Sequence, residues 1–315
     1  MNSMRERVAI VGAGVSGLTC GVVFAESGYR TSIFAEESGP RITSAAAGAI
    51  WFPYDAEPAN AVIAWSLETF DILRELSDMP GSGVSMLELR SFARTGELEI
   101  PPWASSLGAR RLAPALLPVC FTSGYTLLVP LTDTTIYLDY LAARFRRAGG
   151  EIQVGVHLVR LDEVNRDCSL LINCTGVGAR TLVPDPEVEP HRGQVAIVPR
   201  IPQTHAVVCD DPPLTYAIPR TNDCVFGGTN ELSADPDPDP ATTSGSASAC
   251  VLFGVSGFVC APINCATAVV SFITTATAAP ALPSPGVVLT PSWPSRQRSV
   301  KARKSVAEEA ILLSS

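Results

Sequence analysis

The feature that most constrains this chain is Gly12-x-Gly14-x-x-Gly17, set between two apolar runs near the N-terminus. Arg7–Val11 reads as a short parallel strand buried on both faces. Ser16–Ser27 has helical spacing and stops at Gly28, and Thr31–Phe34 resumes a strand before Glu36-Glu37. The spacing therefore predicts a βαβ unit whose first turn needs all three glycines. Gly12 permits the tight turn, Gly14 lets backbone approach a pyrophosphate, and Gly17 lets helix and strand pack closely. The helix N-terminus offers N–H groups and the positive end of its dipole to phosphate. Glu36 and Glu37 lie about 20 residues beyond the glycines, where an acid grips a ribose hydroxyl. Acids rather than arginine there argue against a 2′-phosphate, hence against NADP, and leave NAD and FAD open.

Composition narrows the partners. The 315 residues suffice for one large or two ordinary domains, and 46% hydrophobic with 17% charged residues is a globular balance. A net charge of −8 makes nucleic acid an unsuitable partner. The nine cysteines form no CxxC pair, so reduced thiols are expected, with no metal site and no disulfide framework. The segment before the first strand is too short and too charged for a signal peptide. No nucleophile elbow, HExxH or P-loop lysine is present, and no catalytic side chain is identified.

Five further blocks decide between the dinucleotides. They are Thr43-Ser-Ala-Ala-Ala-Gly-Ala-Ile-Trp-Phe-Pro-Tyr54, Thr134-Thr-Ile-Tyr-Leu-Asp-Tyr-Leu141 and Leu171-Ile-Asn-Cys-Thr-Gly-Val-Gly178, then His191-Arg-Gly-Gln-Val195, and Tyr216-Ala-Ile-Pro-Arg220 followed by Phe226-Gly-Gly-Thr229. In this order they resemble the D-amino-acid oxidase family of FAD-dependent flavoproteins, over roughly residues 5–232. Ala47-Gly48-Ala49 suits close approach to a flat isoalloxazine ring. Leu170–Asn173 reads as a buried strand breaking at Thr175-Gly176, where backbone amides again face a cofactor. Trp51, Phe52 and Tyr54 by themselves read as core, and Asn173–Gly176 as an ordinary strand exit.

The resemblance implies FAD contacts at Gly12, Gly14, Ser16, Gly17, Glu36, Thr43, Ser44, Gly48, Ala49, Trp51, Val159, Cys174 and Gly176. The spacing before Val159 is one residue shorter than the family's. It implies substrate contacts at Tyr216, through a hydroxyl that bonds the carboxylate, and at Tyr54. The chemistry implied is oxidation of a D-amino acid by flavin and O2 to a 2-oxo acid, ammonia and hydrogen peroxide, with D-aspartate oxidase the nearest rival. No general-base histidine is needed, so His157, His191 and His205 read as structural or surface residues. The fold implied is α/β, a doubly wound Rossmann-like FAD domain (1–54 and 132–183) intertwined with a mainly antiparallel substrate domain (55–131 and 184–240). The resemblance leaves a homodimer open and a cytoplasmic or peroxisomal address, although the chain ends Leu-Leu-Ser-Ser without the peroxisomal Ser-Lys-Leu signal.

After Thr229 the pattern breaks. The family continues with Gly-Leu-Arg-Pro and Val-Arg-Leu, whose second arginine pairs with the substrate carboxylate, and later with Val-Ile-His-Asn-Tyr-Gly-His-Gly-Gly, which closes over the flavin. Here no arginine or lysine occurs from Thr221 to Ser295, and no charged residue after Pro240 until Arg296. The family's closing run, written in GC-rich codons and begun one base late, reads Ser-Phe-Ile-Thr-Thr-Ala-Thr-Ala-Ala-Pro, the sequence of Ser271–Pro280. The same shift relates Gly-Leu-Arg-Pro to Ala249-Cys-Val-Leu252 and Val-Arg-Leu to Phe258-Val-Cys260. The tail, 241–315, thus reads as a frameshifted version of the family's C-terminus, atypical and without regular order, which would leave a catalytically impaired remnant. A membrane span over Ala249–Ile273 competes on length, but Pro262 and Asn264 interrupt it. A Pro/Ala/Thr-rich disordered tail fits Thr274–Pro294 by composition.

Overall fold

The computed structural model describes residues 6–53, 58–164, 167–184, 188–235 and 269–278. The opening unit forms as its pattern predicts, with β1 (Arg7–Val11), α1 (Val15–Glu26) and β2 (Arg30–Ala35). There follow α2 (Thr43–Ala46), α3 (Ala59–Ser77), β3 (Val84–Ala93), α4 (Pro102–Ser106), β4 (Arg110–Arg111) and β5 (Ser123–Thr132). The chain continues through α5 (Thr134–Arg147), β6 (Glu151–Val154), β7 (Leu170–Asn173) and α6 (Ala179–Leu182). It ends in β8 (Val188–Pro199), β9 (His205–Cys209), β10 (Thr215–Pro219), β11 (Asp223–Gly227), β12 (Glu231–Leu232) and β13 (Val269–Ala278).

Two sheets result. The first is parallel, in the order β6-β2-β1-β7, with Ile10 opposite Ile33 and Val8 opposite Leu170. β7 is an edge strand of this described sheet. Its residues are only half-buried and Asn173 is exposed, which corrects the expectation of a buried strand. The second sheet runs β12-β8-β11-β10-β9-β3-β5-β4, with β13 also paired to β8. Its neighbours are antiparallel except β3 and β9. The architecture is therefore α/β with a parallel sheet beside a mainly antiparallel one.

α1 and α5 pack on each other against the parallel sheet, and both end by one device. After α1, Gly28 takes φ +91, its amide bonds the Ala25 carbonyl, and the Tyr29 amide bonds that of Phe24. After α5, Gly149 and Gly150 repeat the pattern on Arg146 and Phe145. These are Schellman caps, and the Phe24–Tyr29 ring contact is the apolar pair that accompanies them. Each glycine turns the chain straight into the next parallel strand. On α3, Val62, Ser66, Thr69, Phe70, Leu73 and Leu76 recur at helical period and lie against β3 and β5.

One apolar cluster joins the two sheets, from Val8, Ile10 and Ile33 through Phe145 and Leu141 to Leu89, Val129 and Ile218. Trp51 is set within it, edge-on to Phe70 and Trp103, with its indole N–H donating to the Ser66 carbonyl at 2.9 Å. In the tail, Val269–Ala278 forms a strand where no regular order was expected. The uncharged, β-branched run Val-Val-Ser-Phe-Ile-Thr-Thr has strong strand propensity, and β8 offers it an edge. The Pro-rich run from Pro236 onward, the flanking parts of the tail and nearly all of the apolar stretch considered as a membrane span lie outside the described residues.

Phe145 is fully buried and occupies the space under Gly21 and Gly150, where an added Cβ would collide with its ring. Phe145→Ala is expected to cost about 3–5 kcal/mol, measured as a shift of the urea unfolding midpoint with unchanged slope.

Candidate functional site

The glycine turn packs directly on the end of β7. Gly12 has φ +108, and a Cβ there would overlap the carbonyl of Cys174, whose own amide donates to the Val11 carbonyl at 2.7 Å. A Cβ on Gly17 would overlap the carbonyl of Gly12. α1 therefore starts as close to the strand end as backbone permits. Its N-cap is Gly14, which has no side chain to cap the helix. The serine after the first helical residue, Ser16, has a buried hydroxyl with no hydrogen-bond partner among the described residues. A helix N-terminus whose own N-cap residue brings no side chain, with an orphaned hydroxyl beside it, is a cradle that fits a pyrophosphate.

Ser44 reaches this turn from α2, its hydroxyl accepting from the Val15 amide at 3.0 Å, while Thr43 stays exposed. Glu36 follows β2 on the neighbouring strand. It is exposed, and its carboxylate meets His157 Nδ1 at 3.1 Å. The Cys174 side chain turns inward and hydrogen-bonds Cys20. That bond and burial push its thiol far above the ordinary range, which leaves only its backbone for the site. The Thr175 amide, expected to face a cofactor, instead bonds the Asn173 side chain at 3.3 Å, because an Asx turn closes the strand end. Gly176, with φ +55, follows it.

Gly12, Gly14, Ser16, Gly17, Ser44, Cys174 and Gly176 thus gather around one turn. Val159 follows β6 in the loop that meets Glu36 through His157. Its side chain is 67% exposed and its amide bonds the Glu163 carboxylate, whereas Leu158 packs against Ala9, Val11 and Val164. Trp51 commits its indole to Ser66 and its amide to the Pro130 carbonyl. Tyr54 lies outside the described residues.

The second part of the site is the stretch after α2. A Cβ on Gly48 would sit 2.7 Å from Ile218, so its bare face rests on β10 and is not left open for a ligand. Ala49 is the one non-glycine residue among those described with positive φ, +50. Its carbonyl accepts from both the amide and the hydroxyl of Thr132, each at 3.0 Å, which holds the unfavourable conformation. On β10, Tyr216 and Ile218 share a face. The Tyr216 ring lies over Gly227 and Gly228, and an added Cβ on either would strike it. The residue is half-buried, and burial of its phenol pushes it up to about 12.

Sequence reasoning did not find Arg220 as part of this constellation. It is buried at the end of β10, paired bidentately with Asp223 at 2.6 and 2.8 Å. Its remaining nitrogen donates to the Thr134 hydroxyl at 2.8 Å and the Ala47 carbonyl at 3.3 Å. Beside it, burial raises the Asp133 carboxyl, but hydrogen bonds from Thr135 and Thr221 prevail and hold it below the usual range. The signal available in sequence was an arginine and an aspartate three apart at a hairpin.

Two outcomes test this geometry. Gly17→Ala should cost about 1–3 kcal/mol and abolish nucleotide uptake, read by thermal midpoint and calorimetric titration with ADP. The raised phenol of Tyr216 stabilises the fold below its ordinary value of 10.0, and that contribution drains as pH rises towards about 12. Tyr216→Phe should flatten this alkaline loss in denaturation curves taken from pH 9 to 12.

The family described as FAD dependent oxidoreductase, DAO, matches residues 7–251. The D-amino-acid oxidase of Rubrobacter xylanophilus is 36% identical over 251 residues, covering 76% of this chain and 77% of that protein. The D-amino-acid oxidase of Streptomyces coelicolor is 38% identical over 243 residues, 74% of each. Human D-aspartate oxidase is 31% identical, over 71% of this chain and 69% of that protein. Glycine oxidase from Geobacillus kaustophilus superposes with a TM-score of 0.64 at 15% identity, covering 86% of this chain and 83% of that one. No helix among the described residues is long and apolar enough to cross a membrane.

Proposed function

This chain belongs to the D-amino-acid oxidase family of FAD-dependent oxidoreductases, enzymes of amino-acid oxidation, and from that premise we propose that its substrates are D-amino acids and its co-substrate O2. When bound, FAD would supply the acceptor for the hydride, and with it the two electrons, leaving the substrate α-carbon, and those two electrons would reduce O2. The products are then an imino acid that hydrolyses to a 2-oxo acid and ammonia, with hydrogen peroxide. The chain's own residues bind and orient.

In this reading the parallel sheet with α1 and α5 (1–54 and 132–183) is the FAD domain, and the larger sheet (55–131 and 184–240) the substrate domain. Gly12, Gly14, Ser16, Gly17 and Ser44 hold the pyrophosphate, Glu36 the ribose, and Gly48, Ala49, Cys174 and Gly176 line the cofactor with backbone. The hydroxyl of Tyr216 meets the substrate carboxylate, and Tyr54 is the other substrate contact. The observation that carries the reading is the N-terminus of α1, where Gly14 brings no capping side chain of its own and the Ser16 hydroxyl is orphaned above the Gly12–Cys174 backbone contact.

A second reading has its own observation. The family anchors the substrate carboxylate with a bidentate arginine, and no arginine stands between Arg220 and Arg296. Arg220 cannot substitute, because its guanidinium is 2% exposed and committed to Asp223 and Thr134. A flavin-binding chain impaired in turnover is the alternative. D-aspartate oxidation would need two such cations and is the less favoured variant.

The test is a peroxide assay of the FAD-loaded chain with neutral, basic and acidic D-amino acids and their L-enantiomers. Peroxide from D-enantiomers alone is the expected result. A yellow protein without turnover would favour the impaired remnant, and peroxide from L-enantiomers would overturn the stereochemical assignment.

A further inference from the structure

We propose that Arg220 is a positioning residue that aims the backbone of Ala47–Ala49 toward the flavin, an inference that rests on reading this stretch as the flavin's seat. Arg220 stands at the end of β10, in the hairpin it closes with Asp223 through its own amide at 2.9 Å. Nε and one terminal nitrogen are spent on the two Asp223 oxygens, which fixes the guanidinium plane. The other terminal nitrogen then points out of the hairpin at the Ala47 carbonyl and the Thr134 hydroxyl. Having accepted from Arg220, Thr134 donates its own proton to the Ala45 carbonyl at 2.9 Å. Thr132 holds the carbonyl of Ala49 in the same way.

The carbonyls of residues 45, 47 and 49 are therefore all turned into the protein. In a planar trans peptide the N–H points opposite to the C=O. Fixing the Ala47 oxygen on Arg220 thus directs the Gly48 N–H away from β10, and fixing the Ala49 oxygen does the same for Ile50. Gly48 cannot roll to another orientation, because its bare face is against Ile218. Arg220 touches neither substrate nor cofactor in this arrangement. It sets which way a backbone donor points, and the positive φ of Ala49 is maintained by the same set of bonds.

Lysine at this position keeps the charge but cannot hold both Asp223 oxygens and still reach two further acceptors. The experiment compares wild type, Arg220→Lys and Thr134→Val in the full chain. FAD affinity is read by quenching of flavin fluorescence, ADP affinity by calorimetry, and the bound flavin by its visible spectrum. ADP probes the Gly12–Gly17 cradle without the Ala47–Ala49 stretch. The expected result is roughly tenfold weaker FAD binding in each variant, about the worth of one or two hydrogen bonds, with a shifted flavin band and unchanged ADP affinity. Equal losses for FAD and ADP, or unchanged FAD binding and spectrum, would overturn the proposal. Should Arg220→Lys fail to fold, Thr134→Val decides alone, since it leaves the buried ion pair intact. A wild type that binds ADP but not FAD would overturn the reading of the stretch itself, and the proposal with it.

Discussion

A single buried cation organises the junction between the two sheets. Arg220 is removed from water at the end of β10, and a charge there is tolerable only because four acceptors surround it. Those acceptors come from three places in the chain: the hairpin itself, the start of α5 and the stretch after α2. Removing one partner would strand a buried charge, a loss of about 3–5 kcal/mol in comparable pairs. The desolvation that makes the arrangement costly also ties these three segments together, because each supplies an acceptor to the one guanidinium. Asp133 reinforces it from the next turn, capping α5 through Thr135 and holding the Thr221 amide at 3.0 Å.

From this junction the position of the site follows. β5 runs into α5 through Thr132-Asp133-Thr134, so the same three residues end a strand of one sheet, start a helix packed on the other and grip the stretch after α2. α5 then packs on α1, and α1 starts at the glycine turn. The glycine turn and the stretch after α2 are thus tied to each other through α1, α5 and the end of β5. At the first a helix begins on a glycine N-cap, and at the second Ala49 is held at positive φ. Each sacrifices local stability, and each lies where the family resemblance puts a cofactor contact.

What could be read from sequence was whatever depends on neighbours a few residues apart. The βαβ unit, the glycine after α1 and the strand exit at Asn173 were all legible, because turn chemistry and periodicity are local. Interactions that span the chain were not. Arg220 and Thr134 are 86 residues apart, and nothing in either segment marks the other. Gly48 was read as small for the sake of a flat ligand, yet its face is used by Ile218, a distant partner that only the folded sheet supplies. Trp51 was assigned to the cofactor by resemblance, and its ring is core, as its size and apolarity alone would suggest. β13 was missed because composition suggested disorder, while strand formation depended on the free edge of β8.

The tail sets the limit on what the rest can do. The family match ends at residue 251, and β13 lies beyond it, paired to β8 and running past α2 and the turn at Gly176–Gly178. That strand is uncharged, as is the whole chain from Ala241 to Ser295. Backbone pairing can complete a sheet edge with almost any β-branched sequence, as β13 does on β8. It cannot restore a point charge. Recognition of a carboxylate in a partly desolvated pocket depends on a cation within hydrogen-bond reach, and a tyrosine hydroxyl would supply one neutral bond in its place. The charge that the family resemblance assigns to the substrate carboxylate would lie after Thr229, and so would the run that closes over the flavin, whereas the glycine turn and the Ala47–Ala49 stretch lie within the matched residues.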